Sequence, residues 1–420
     1  MKNALKSSLF VLLFSLYSCG SQEGGELTGA LDRPSWSPIN PYGMVYVPSG
    51  TLMVGPSDQD VNSTYVQRPK QISIQGFYMD ETEITNNEYR QFVEWVRDSI
   101  ARKLTGLVEQ DEDGNEVIDW RSKIDWEAEE LDEMYLAEGD FFLGKKLIDV
   151  GKFNYEYEWF NWEKAALAPR RNSMDKNQAK IKDFTEKETV NIYPDTLVWI
   201  RNFAYSYNEP MARQYFSHPA YDDYPVVGVN WAMAKAFTHW RTQLYLSSLA
   251  GSKAAVNSED FRLPSEHEWE YAARGGHELA PFPWGGPYIR NAKGCLLANF
   301  KPGRGDYPED GGFYTVKADA YFPNDYGLYN MAGNVSEWTN SAFHENFYSF
   351  MSDLNPNYTY NADDEENIAN KRKVVRGGSW KDIHYFLQTG TRDWEYQDTT
   401  KAYIGFRCVL TFLGRSINDF

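Results

Sequence analysis

Phe261-Arg262-Leu263-Pro264-Ser265-Glu266-His267-Glu268-Trp269-Glu270-Tyr271-Ala272-Ala273-Arg274-Gly275-Gly276 is the stretch from which the fold is read. Pro264 has no N–H to give a ladder, so Arg262-Leu263-Pro264 ends a strand. Ser265 follows as a helix N-cap, with Glu268 three residues on, where its carboxylate reaches back to the cap backbone. That box predicts a short helix over Glu266 to Ala273.

Working outward, the chain from Tyr221 is dense in Gly, Trp and Asn, with few long periodic segments. Trp231 to Arg241 reads as a second helix, and most of the rest as short strands and ordered loops. Such a domain has to be pinned by side-chain hydrogen bonds, buried tryptophans or metal ions. Gly377-Gly378 marks a place where backbone comes close or takes positive φ. Upstream, Met44 to Gly55 reads as a hairpin-like pair of apolar runs around Pro48-Ser49-Gly50. Thr85 and Glu88 form a second capping box, and Tyr89, Phe92, Val93 and Val96 give the helix behind it a buried stripe.

Residues 97–211 differ from their surroundings. From Glu109 to Asp140 there are 14 acidic and 2 basic residues, a pattern of solvated faces and loops. Eight aromatics follow between Phe141 and Trp162, with Phe153, Tyr155, Tyr157 and Trp159 at period two. They are either the core of an insertion or a sticky edge for a partner. The chain as a whole carries 42 Lys and Arg against 60 Asp and Glu, a net charge of −18. A surface that acidic repels phosphate backbones, which argues against nucleic-acid binding.

The N-terminus reads as an export signal over residues 1–18: Lys2 and Lys6, then the apolar run Leu9 to Phe14, too short to span a bilayer. Leu16-Tyr17-Ser18-Cys19 resembles a bacterial lipobox, with Cys19 as the lipidated residue and 19–40 as its tether; the other reading is an ordinary signal peptide with an incidental cysteine. Gly20 and Ser21 are not acidic, as in lipoproteins sent to the outer membrane. Beyond Cys19 only Cys295 and Cys408 remain; one disulfide is possible, and spacing does not decide it.

Six further motifs complete the pattern: Glu81-Thr82-Glu83-Ile84-Thr85-Asn86, Tyr224-Pro225-Val226-Val227-Gly228-Val229-Asn230-Trp231, Pro283-Trp284-Gly285-Gly286, Tyr326-Gly327-Leu328-Tyr329-Asn330-Met331-Ala332-Gly333-Asn334-Val335-Ser336-Glu337-Trp338, Val375-Arg376-Gly377-Gly378-Ser379-Trp380 and Ile404-Gly405-Phe406-Arg407. In this order, with the Phe261 stretch, they resemble the formylglycine-generating-enzyme (sulfatase-modifying-factor) family. The resemblance implies an α+β fold of C-type-lectin-like, loop-rich character. Its two parts are 41–96 and 212–415, separated by one long insertion, 97–211.

It also implies calcium. Asn330, Gly333, Val335 and Glu337 match a family calcium site, and Asn299, Phe300, Asp310 and Gly312 correspond to a second. Side-chain and carbonyl oxygens of this kind suit a hard cation. The alternative for Glu337 is a structural salt bridge or the capping of backbone amides. The family's enzymes bind copper(I) through two cysteines five residues apart, just after Arg-Gly-Gly-Ser. Here Asp382 and Leu387 stand at those positions, and neither Cys295 nor Cys408 replaces the pair by spacing. Cys408 lies where family members can carry a structural cysteine, with Thr238 at its usual partner position. No copper is expected, and formylglycine synthesis is excluded. Six scattered histidines do not make an iron site, and His384 reads as a surface residue.

Two segments in or beside the insertion narrow the resemblance: Tyr193-Pro194-Asp195-Thr196-Leu197-Val198-Trp199-Ile200-Arg201 and Tyr205-Ser206-Tyr207-Asn208-Glu209-Pro210-Met211. With the lipobox and Phe77 to Asn86 they look like the gliding-motility lipoprotein family of the type IX secretion system, the GldK/PorK group, to which the GldJ group is sister. That implies a non-catalytic protein on the periplasmic face of the outer membrane. It would repeat around a ring with a GldN/PorN-type periplasmic subunit. The competing readings are a lectin-like peptide- or glycan-binding lipoprotein and a divergent oxidase.

Overall fold

The computed structural model describes residues 39–55, 69–110, 116–137, 146–167, 181–201, 204–205, 208–250, 258–309, 311–363 and 365–413. Cys19 and Asp310 lie outside the described residues, as do Ser206 and Tyr207. No helix among those described is long and apolar enough to cross a membrane.

Among the described residues three longer helices, several helices of one or two turns and thirteen short strands make an α+β architecture held mainly by loops. Helix α1, Asn86–Leu104, begins at Thr85, whose hydroxyl accepts from Glu88 N while the Glu88 carboxylate accepts from Thr85 N. Tyr89, Phe92, Val93 and Val96 are buried, as the stripe predicted. The helix runs to Leu104, past position 97 where the sequence reading begins the insertion. Helix α2, Trp231–Ser248, is capped by Asn230 and extends beyond the predicted Arg241. Tyr89 stacks on Phe237 with ring centroids 5.6 Å apart, and Phe92 packs on Trp240 at 5.3 Å. Helix α3, Glu266–Arg274, carries the second capping box and ends on Gly275 in the left-handed conformation, φ 58°.

The strands are β1 Met44–Val47, β2 Gly50–Val54, β3 Lys70–Ile74, β4 Phe77–Asp80, β5 Val108–Gln110, β6 Glu116–Ile118, β7 Asn154–Phe160, β8 Thr185–Asn191, β9 Ser336–Ala342, β10 Arg372–Arg376, β11 Asp393–Tyr396, β12 Ile404–Gly405 and β13 Val409–Thr411. They form a three-stranded sheet β1-β4-β13, a four-stranded sheet β11-β10-β9-β12, and the pairs β2-β3, β5-β6 and β7-β8. The hairpin expected over Met44 to Gly55 is not formed. β1 pairs with β4 (Met44↔Asp80) while β2 pairs with β3 (Gly50↔Ile74), so Pro48-Ser49 carries the chain between sheets. Two apolar runs beside a turn meet the local requirement for a hairpin, but each pairs with a strand from farther along the chain, β1 with the fully buried β4 and β2 with β3.

Seven residues of β7 pair in unbroken register with β8. Phe153, Tyr155 and Tyr157 on one face are buried against α1 and α2, so these insertion aromatics are core. Tyr155 meets Phe92 edge-on at 5.2 Å, and Tyr157 stacks on His239 at 4.4 Å.

Behind α3 lies a buried charge network. Glu266 accepts from Arg392 and Arg376, Glu270 from Arg376 and Arg274, and all five side chains are nearly or fully buried. Arg274 also donates to the carbonyls of Gly55 and Ala280, and Arg376 to that of Thr391. Loops with few backbone bonds are thereby tied to one helix face, each guanidinium supplying several donors.

Candidate functional site

The Tyr326–Trp338 motif bends back on itself through Asn330 (φ 51°), Gly333 (φ 80°) and Asn334 (φ 60°). Asn tolerates this region, whereas a Cβ at Gly333 would lie 2.3 Å from the Asn299 carbonyl oxygen. The bend turns both asparagine amides inward onto Glu83, which is fully buried between β4 and α1. Asn330 Nδ2 donates to Glu83 Oε2 at 3.1 Å and Asn334 Nδ2 to Oε1 at 3.0 Å. Asn334 Oδ1 in turn accepts from Asn299 Nδ2 and Val316 N.

β9 then places Glu337 at the core of the molecule. Arg407 grips it bidentately, Nε to Oε2 at 2.7 Å and Nη2 to Oε1 at 2.6 Å, and Trp269 Nε1 donates to Oε2 at 2.7 Å. The same guanidinium donates to the carbonyls of Asp80 and Tyr329. Helix α3, β9, the end of β4 and the segment before β13 therefore meet on one carboxylate. This is the salt-bridge alternative for Glu337.

Two buried carboxylates share one guanidinium here. Burial pushes the Glu83 carboxyl up to about 8; Arg407 opposes the shift and the charge of Glu337 adds to it. With both carboxylates charged the centre would carry one negative charge beyond Arg407; the two asparagine amides turn their N–H groups towards Glu83. Both carboxylates have their oxygens engaged, those of Glu337 by Arg407 and Trp269 and those of Glu83 by the amides of Asn330 and Asn334. Among the described residues no three His, Cys, Asp or Glu side chains form a metal-holding group.

The structure gathers Asn330, Gly333, Glu337 and Asn299 around this centre and places Gly312 against the Asn299 amide. Val335 and Phe300 point their side chains into separate apolar clusters, beside Trp380 and Leu387 respectively. Glu83, Asn334, Trp269 and Arg407 were given no role by the sequence reading. A charged residue inside an otherwise apolar motif, as in Ile404-Gly405-Phe406-Arg407, is the signal that could have found them.

The segment after β10 holds Asp382 and Leu387, the two positions at which the sequence resemblance expects the family's thiols. Asp382 Oδ2 accepts from both the Ser379 N–H and its hydroxyl, closing a tight turn. Leu387 is fully buried among Phe282, Leu296, Ala298, Phe300 and Ala332. Gly378 approaches this turn closely: a Cβ there would lie 2.8 Å from the Phe386 carbonyl. Trp380 is buried, donates to Ala402 O, and stacks on Trp199 of the insertion at 6.2 Å. His384 is exposed. Cys295 is exposed, Cys408 is buried, and both are free; Thr238 is buried and donates to Lys235 O.

The sulfatase-modifying factor enzyme 1-like domain family matches residues 34–412 of this chain. A formylglycine-generating enzyme of Bos taurus is 26% identical over 388 residues, covering 90% of this chain and 78% of that protein. The inactive Cα-formylglycine-generating enzyme 2 of Bos taurus is 33% identical over 193 residues, covering 44% of this chain and 50% of that protein. The solved structure of PvdO from Pseudomonas aeruginosa aligns with a TM-score of 0.48 at 17% identity, covering 91% of this chain and all of that one.

Proposed function

The chain belongs to the sulfatase-modifying factor enzyme 1-like family, and on that premise we propose that it is a non-catalytic member working as a scaffold. The observation that carries this reading is the fate of the two thiol positions. Asp382 is spent on the Ser379 turn and Leu387 on the apolar core, so neither side chain is presented to a substrate. Trp199 of the insertion packs on Trp380 at the head of the same segment. An inactive relative exists within the family.

The finer reading is a lipoprotein of the GldK/PorK group, anchored through Cys19 in the outer membrane. It assembles in a ring of the type IX secretion and gliding machinery with a GldN/PorN-type subunit. Calcium belongs to the proposal as a structural ion. Asn330, Gly333, Val335 and Glu337 are its candidate ligands, with Glu83 beside them. Asn299, Phe300, Asp310 and Gly312 are candidates for a second ion. The ion would supply the positive charge that the Glu83–Glu337 pair lacks. No copper is expected.

The test has two arms. The protein is incubated with copper, oxygen, reductant and a cysteine peptide of the sulfatase type; the expected peptide mass is unchanged, for the parent and for the Asp382→Cys/Leu387→Cys variant. Turnover above the metal-only control overturns the non-catalytic reading. Affinity purification from detergent-solubilised envelopes is expected to recover a GldN/PorN-type subunit in stoichiometric amount, and Cys19→Ser to lose palmitate labelling. Recovery of the protein alone overturns the ring assignment.

A further inference from the structure

Beyond the end of β9 a cavity of about 470 Å³ opens between Phe343–Asn346, the Tyr358–Tyr360 segment and the start of β10. That volume is within the range of small-ligand sites. It shares no residue with the Ser379–Thr391 segment, and nothing in the scaffold reading uses it.

Three features of its lining bear on what it can hold. The first is a fixed platform. Tyr360 is 38% exposed; its hydroxyl donates to Glu366 at 2.5 Å and its carbonyl accepts from the buried Lys373. Its ring stacks on no other ring and carries no cation among the described residues, and it lines the cavity. The second is a set of unspent polar groups. The Asn346 side-chain amide and the Tyr358 hydroxyl make no hydrogen bond to the described residues. His344 uses Nδ1 to accept from Asn346 N, which leaves Nε2 unused. Asn370 gives Nδ2 to Glu366 and keeps its carbonyl oxygen. The third is charge balance. Arg372 is held against Phe343 at 5.5 Å and Trp394 at 5.0 Å, and pairs with Glu345 at 3.5 Å.

One positive and one negative side chain leave the lining without net charge, and the chain's net −18 further disfavours an anion. A phosphate would meet the charge of Glu345 beside Arg372, and an ammonium that of Arg372 beside Glu345. A ligand with apolar C–H faces and several hydroxyls would not: it can lie on Tyr360 and satisfy Asn346, Tyr358, His344 and Asn370 at once. We propose that this cavity is a binding site for a neutral sugar unit of a glycan, stacked on Tyr360.

Saturation-transfer NMR of the full chain with chitotriose and with maltotriose tests it, with inorganic phosphate and trilysine as charged comparisons. The expected result is transfer to at least one trisaccharide with a Kd of roughly millimolar, insensitive to salt. Tyr360→Ala is expected to weaken binding about tenfold. Asn346→Ala, on an exposed side chain that supports nothing else, should weaken it severalfold, with melting midpoints checked for both. No transfer to either sugar overturns the proposal. So does sugar binding that both variants leave unchanged, or preferential, salt-sensitive binding of phosphate or trilysine.

Discussion

The charge centres around α3 and β9 and the β7–β8 hairpin of the insertion are both rich in ion pairs, yet the pairs have different physical weight. Glu337 and Arg407 are essentially inaccessible, as are Glu266, Glu270 and Arg376. On the outer face of the hairpin, Lys187 reaches Glu156 and Glu158 with all three side chains more than half exposed. Water already solvates the hairpin charges, so pairing them changes little. In the core, water has been removed, and each charge depends on the partners the fold supplies. Polar side chains carry the architecture in the loop-rich core. The hairpin is carried by Phe153, Tyr155 and Tyr157, its apolar face.

The largest effect should come from Arg407→Met. It leaves Glu337 and Glu83 buried without the guanidinium they share, at a cost of about 3–5 kcal/mol. Denaturant unfolding measures it; a loss comparable to that of a surface variant would erase the contrast.

Glu83→Gln should change the pH profile. The folded pKa of Glu83, about 8, lies above the ordinary 4.5, so the folded state holds this proton more tightly than the unfolded chain. Its contribution is fully present below pH 4.5 and is lost as pH rises through 8. With chelator present, the parent should therefore lose stability over that window, and Glu83→Gln should lose less. Added calcium should reverse the parent's decline by stabilising the charged carboxylate. If calcium leaves both curves unchanged, the ion is no part of this centre.

His239 carries the opposite sign. Burial, with Lys235 adding, holds its pKa down at about 4, below the usual 6.5. Its contribution is complete above pH 6.5 and is lost as pH falls towards 4. Because its ring stacks on Tyr157, amide exchange across Tyr155–Phe160 should accelerate in that window while the Glu266–Glu270 face of α3 stays protected. His239→Phe should flatten the response. Uniform acceleration everywhere would mean that hairpin and core open together.

Lys187→Ala should be the weakest, with no resolvable shift in the unfolding midpoint. Both its partners are exposed, so a measurable loss would show that the outer face of the hairpin is less solvated than its accessibility indicates.

The parts legible in the sequence are local. Both capping boxes, the stripe Tyr89–Val96 and the period-two aromatics of β7 involve residues a few positions apart, where a turn of helix or a pleat brings side chains together whatever the rest of the chain does. The same reasoning produced the one wrong pairing, β1 with β2, because adjacency in sequence was the only information available there.

From the sequence alone came the two capped helices, the aromatic face of β7, and the expectation that Asp382 and Leu387 stand at the family's two thiol positions. Only the tertiary structure decided that Glu337 meets Arg407, 70 residues away, and that Glu83 receives the amides of Asn330 and Asn334, 247 and 251 residues away. It also decided that Leu387 is core while Asp382 closes a turn. A buried polar group takes whichever partner the closed loops bring within about 3 Å, and that choice is made by the packing of distant segments, which no local spacing encodes.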